Sequence, residues 1–110
     1  MSEIIINIAE SYTKTPGGRY ICEGAFSGED FRESQLLPKV EFAIKNNCKI
    51  TVVLDGGFGY APSFLEEAFG GLMRKLKDQR VLELITIISE EEPMLVEKVN
   101  KYMRDAVGVN

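Results

Sequence analysis

The stretch ITVVLDGGFGYAPSFLEEAFGGLMRKL, residues 50–76, constrains the fold of this chain more than any other. Ile50–Leu54 is an almost continuous apolar run rich in β-branched residues, which reads as a strand covered on both faces. It passes straight into the glycine-rich Asp55–Tyr60, and from Ser63 apolar residues recur at helical spacing. Strand, tight loop and amphipathic helix in that order specify an α/β domain. At 110 residues the chain is one such domain, large enough for a real core.

The flanking segments extend the pattern. Glu3–Ser11 reads as a strand with Ile4, Ile6 and Ile8 on one face. Thr15-Pro16-Gly17-Gly18 is turn chemistry, and Arg19–Phe26 alternates as a second strand of a hairpin. Ser27 is placed as the N-cap of a helix carrying Phe31, Leu36, Leu37, Val40, Phe42, Ala43 and Ile44. Pro38 is expected to kink or split that helix, which ends near Asn46-Asn47. After the central strand comes a helix from Ser63 to Lys77, a buried strand Leu84–Ile88 and a closing helix Glu92–Val107. Gly108-Val109-Asn110 is expected to fray. The order β-β-α-β-α-β-α implies a mixed β-sheet with helices packed on it.

The central unit also holds the candidate site. Ser63-Phe64-Leu65-Glu66 fits a capping box, with Ser63 as N-cap and Glu66 reaching back. At about 100° per residue, Phe64, Leu65, Ala68, Phe69, Leu72, Met73 and Leu76 share one half of the helix. Glu66, Glu67, Gly70, Gly71, Arg74 and Lys77 share the other. Each mid-helix glycine costs about 1 kcal/mol against alanine, so Gly70 and Gly71 need a reason. Either a neighbouring helix crosses closely there, or the glycines form a partner surface flanked by Glu66, Glu67 and Arg74. The loop before the helix leaves a strand's C-terminal end, where open α/β sheets bind ligands. Yet Gly57-Phe58-Gly59 lacks a third fingerprint glycine, and no Gly-Lys-Ser/Thr follows. Gly57 and Gly59 therefore read as turn formers before nucleotide binders.

Composition excludes several classes. There is no histidine, so neither a Ser-His-Asp or Cys-His nucleophile nor a histidine-bearing zinc site can be built. A net charge of −4 disfavours a nucleic-acid partner. The longest apolar runs fall far short of a membrane span, and MSEIIINIAE lacks a signal-peptide pattern. Cys22 and Cys48 have no metal-type spacing and are expected to be buried, reduced thiols of a cytoplasmic protein. No metal or cofactor is expected.

Two blocks carry a family resemblance: GAFSGEDFR at residues 24–32 and SFLEEAFGGL at residues 63–72. They resemble a family of bacterial STAS-like domains, distantly similar to the STAS domains of anti-sigma factor antagonists and sulfate transporters. The resemblance covers about Arg19 to Leu76. In the antagonists a serine at this helix start is phosphorylated by a partner kinase, which switches partner binding. The resemblance implies Ser63 as the matching phosphosite, beside its plainer reading as a cap. It further implies a non-enzymatic protein-interaction domain whose partner is an ATP-binding, kinase-like regulator. The alternative function is a small-ligand or nucleotide sensor using the Asp55–Ser63 loop. An enzyme using Asp55, Glu66 and Glu67 as acid–base groups ranks third.

Overall fold

A computed structural model describes residues 3–108 of the chain. Three strands, β1 (Glu3–Asn7), β2 (Lys49–Val53) and β3 (Ile85–Ile88), form a sheet of order β1-β2-β3. Both pairings are parallel, with Ile4 opposite Ile50 and Ile50 opposite Ile85. Each connection carries a helix: α2 over residues 28–46 between β1 and β2, and α3 over residues 62–76 between β2 and β3. Short turns α1 (Ile8–Ser11) and α4 (Val81–Leu84) follow β1 and precede β3, and α5 (Met94–Ala106) closes the fold.

Right-handed crossovers between adjacent parallel strands carry their helices over the same sheet face. Burial bears this out. Ile6, Ile50, Val52, Ile85 and Ile87 are buried under the helices, whereas Ile5 is 65% exposed and Ile88 37% exposed. β2 itself is buried at Ile50 and Val52 on one face and at Thr51 on the other, as expected of a central strand, and the exposed isoleucines fall on its two neighbours. The α/β class with helices packed on the sheet holds, but the described sheet is parallel throughout rather than mixed.

The strand expected over Arg19–Phe26 is absent. Ile21–Glu23 is instead a single 3-10 turn. Glu23 Oε1 accepts hydrogen bonds from the Arg19 and Tyr20 amides at 2.9 and 3.1 Å, curling the segment. Its alternation had no face to bury: Ile21 is 53% exposed and Cys22, expected to be buried, is exposed. β1 likewise stops at Asn7, whose Oδ1 accepts from the Glu10 amide at 3.1 Å and starts α1. Val109 and Asn110, expected to fray, lie outside the described residues.

Pro38 does not break α2. The turn before it, Arg32–Leu36, is wide, with π-type hydrogen bonding, and Leu37–Asn46 resumes as α-helix. Widening relieves the clash between a proline ring and the carbonyl four residues earlier. The added residue also rotates the remainder of the helix, so Phe42, expected inside, is 56% exposed. Phe31 from α2 stacks on Phe64 from α3, with ring centroids 6.0 Å apart, and Leu95, Val99 and Met103 of α5 complete the core.

Candidate functional site

The three strands end on one side of the molecule, and their exit loops are tied together there. The Asp55 carboxylate accepts from the backbone amides of Glu90 (3.0 Å) and Glu91 (2.8 Å). Glu91 Oε1 returns a bond from the Gly56 amide at 3.0 Å. The Phe58 amide donates to the Lys14 carbonyl at 2.9 Å, and the Tyr60 hydroxyl to the Leu54 carbonyl at 2.9 Å. Burial, with the nearby Asp55 and Glu91 carboxylates, pushes the Tyr60 phenol well above its ordinary pKa and keeps it a donor. Gly56 and Gly59 take φ of 97° and 116°, which turns the chain sharply on either side of Phe58. This fastened loop presents Phe58 at 84% exposure.

Below the loop, α2 and α3 start side by side. A Cβ on Gly28 would lie 2.4 Å from the Phe64 carbonyl oxygen, so the close helix approach is at Gly28. Ser27 caps α2 as expected, its Oγ accepting from the Asp30 amide at 3.0 Å. The helix start at Ser63 differs from expectation. Ala61 is the N-cap, Pro62 opens the helix and Ser63 follows it, with no side-chain cap bond. Proline's fixed φ and missing N–H suit the first helical position, which displaces the serine by two residues.

Glu66 therefore does not close a capping box. It accepts from Arg19 Nη1 at 2.6 Å and, through both oxygens, from Arg74 at 2.7 and 3.1 Å. Hydrogen bonds from Arg74, and then Arg19, hold its carboxyl below the ordinary range against the opposing effect of burial. Glu67 is buried, with Oε2 2.6 Å and its carbonyl 2.8 Å from Arg32 Nη1, and Oε1 3.1 Å from Arg19. Arg32 also donates to Glu33 at 2.9 Å, and Lys75 reaches Glu33 at 3.1 Å. A wide π turn over Glu66–Gly70 in α3 contacts the one in α2, and the Arg32–Glu67 pair bridges them.

The glycine pair lies under these ion pairs. A Cβ on Gly71 would sit 2.3 Å from Arg32 Nη1, and one on Gly70 would sit 2.6 Å from Glu66 Oε2. Both glycines are buried. They clear space for this chain's own charged side chains. Of the two readings, the close approach of a neighbouring helix holds at Gly71, where Arg32 of α2 lies over it, and the glycines are not themselves an open face. Of the candidate residues, Glu66, Glu67, Gly70, Gly71 and Arg74 form one cluster, Gly57 and Gly59 belong to the loop, and Ser63 stands between them. Arg19, Arg32 and Phe58 were missed. An aromatic isolated between glycines was a usable signal for Phe58. Arg32 closes the GAFSGEDFR block, but nothing local marked its pairing, since its partner is 35 residues away.

A one-sided α/β sheet with a serine just inside the helix that follows its central strand has the form of a STAS-like domain. The family model described as STAS-like domain of unknown function (DUF4325) matches residues 27–94, and the chain belongs to this family. The match runs from the Ser27 cap to the first residue of α5, further toward the C-terminus than the two blocks alone suggest. Searches of curated proteins and of solved structures found no match. Among the described residues no cluster of metal-ligating side chains is present, and no helix is long and apolar enough to cross a membrane.

Proposed function

We propose that this domain is a non-enzymatic, cytoplasmic protein-interaction module of the partner-switching kind, contacting its partner through the Asp55–Ser63 loop and the start of α3. The observation that carries this reading is Phe58, a large apolar side chain held out at 84% exposure on a loop fixed by backbone hydrogen bonds. An exposed aromatic on a preorganised support is the usual anchor of a protein interface, because burying it carries little ordering cost. The loop offers a nucleotide less: the Gly56 and Phe58 amides are already engaged, and Glu90, Glu91 and Glu92 lie beside it.

The partner consistent with the resemblance is an ATP-binding, kinase-like regulator, and Ser63 is the switch. On a helix, residues three and four apart share a face, so Ser63 faces the same way as Glu66 and Glu67. A phosphoryl group there brings about −1.5 to −2 of charge and strong acceptor oxygens. It competes with both glutamates for Arg19, which is 30% exposed and ties the segment before α2 to α3. Phosphorylation then changes the charge and shape of the surface and leaves the core alone.

Affinity capture with the unmodified protein and with Phe58→Asp, side by side, tests the reading. A kinase-like ATPase retained by the first and lost by the second supports it. Equal retention, or a melting temperature raised by nucleotide alone, counts against it. Incubating the captured kinase with ATP and mapping phosphate by mass spectrometry tests Ser63 separately.

A further inference from the structure

Among the described residues the outer edge of β3 is an unpaired strand edge beside a groove. β3 pairs with β2 on one side only, and among the described residues nothing pairs on the other. Its four residues are Ile-Thr-Ile-Ile, with no proline, glycine, charge or bulge, so that its shortness is the one edge-protecting feature it carries. The Leu54 amide donates to the Ile88 carbonyl at 2.8 Å, so Ile88 and Thr86 direct their backbone groups at β2. By the two-residue alternation of a strand, the Ile87 N–H and C=O and the Ile85 C=O point outward. The Ile85 N–H is spent on the Val81 carbonyl.

Between this edge and α5 runs a groove of about 370 Å³. Leu82, Ile85 and Ile87 line one side, and Val96, Asn100 and Arg104 line the other. A helix that follows a strand in a right-handed parallel sheet overhangs the next strand position, and the groove lies at that position. Free backbone groups along an edge, with side-chain pockets beside them, are the two requirements for binding an extended peptide as an added strand. This groove offers polar Thr86, Asn100 and Arg104 beside its apolar residues. Arg104 supplies the polarity. Its side chain is 39% exposed, and its ion pair, 3.2 Å to a Glu97 that is 79% exposed, is readily exchanged for another carboxylate.

We infer that the β3–α5 groove is a second interaction surface, which takes an extended partner peptide by strand addition. The peptide alternates apolar side chains into the groove and sets a carboxylate against Arg104. This surface is separate from the Phe58 loop and stands or falls without it.

The probe is a pair of capped octapeptides alternating valine and serine, one with glutamate at its amino end and one with glutamate at its carboxyl end, titrated into the isotope-labelled whole protein. The expected result is that one of the two shifts the amide signals of Ile85–Ser89, Val96, Asn100 and Arg104. The Ile87 amide, fast-exchanging alone, becomes protected from hydrogen exchange on binding, which a ligand merely resting in the groove does not cause. Arg104→Glu weakens binding about fivefold or more, and a lysine in place of the peptide's glutamate restores it. No shift at millimolar peptide, shifts confined to the Phe58 loop, or an Ile87 amide left unprotected overturns the inference. Self-association of the peptide-free protein through the same amides also overturns it, since the occupant is then a second copy.

Discussion

Arg32 Nη1 occupies the space that a β-carbon on Gly71 would need, 2.3 Å from its ideal position, while donating to Glu67 at 2.6 Å. The glycine and the buried ion pair are therefore one feature: without the missing side chain, α2 could not lay its arginine across α3. Arg32 and Glu67 expose only 9% and 11% of their side chains, so neither can turn to water if the pair is broken.

Gly71→Ala should accordingly destabilise the domain by about 1–3 kcal/mol, the loss from a broken buried pair exceeding the roughly 1 kcal/mol gained in helix propensity. Gly70→Ala meets only the ends of Glu66 and Arg74, which can give way, and should change stability by less than about 1 kcal/mol. Urea denaturation of both variants checks the asymmetry. Equal effects would show that Arg32 repacks freely.

Acid should weaken the network. Glu66 has a folded pKa below its unfolded value of about 4.3, so its contribution is complete above that value. It is lost as pH falls through the lower, folded pKa. Glu33 acts in the same direction, held low by Arg32 and then Lys75. Unfolding followed from pH 7 down to pH 3 (roughly the carboxylate range) should show stability dropping in the acid half of that span. Glu66→Gln should be less stable at neutral pH and show a shallower decline.

Because Ser63 is not the cap, Ser63→Ala should alter stability by less than about 0.5 kcal/mol, where loss of a true N-cap costs about 1 kcal/mol. Ser27→Ala is the control, since Ser27 does cap its helix, and it should cost about 1 kcal/mol or more. Thermal melts of the two variants separate the cases.

Asp55 joins the exits of β2 and β3. Asp55→Ala removes two acceptor bonds and should cost about 1–2 kcal/mol. The Glu90 and Glu91 amides should then lose protection in hydrogen exchange while those of α2 keep it. Uniform loss across the fold would mean that Asp55 supports the core as well as the loops.

The α/β class, the three long helices and two of the three strands with near-correct bounds were legible in the chain, because periodicity is local and each element repeats it several times. Ser27 was legible as a cap for the same reason. Ser63 was misplaced because Ala61-Pro62 begins the helix earlier: a proline at the first helical position overrides a serine that fits the capping pattern at the next residue. The Arg19–Phe26 strand failed because alternation does not say whether a partner strand exists to pair with it.

By itself the sequence determined the three long helices, the central strand and the strand before the last helix, and that Gly70 and Gly71 needed an explanation, since these depend on residues within a turn or two of one another. Only the tertiary structure decided that all the helices lie on one sheet face, that Phe58 stands out from a fastened loop and that Arg32, from the preceding long helix, fills the space over Gly71. The first follows from the handedness of the crossovers, and the second from bonds between strand exits far apart in the chain. The third depends on the crossing of α2 over α3, which the packing of the core sets, with the Phe31–Phe64 stack and the Gly28 contact at its centre.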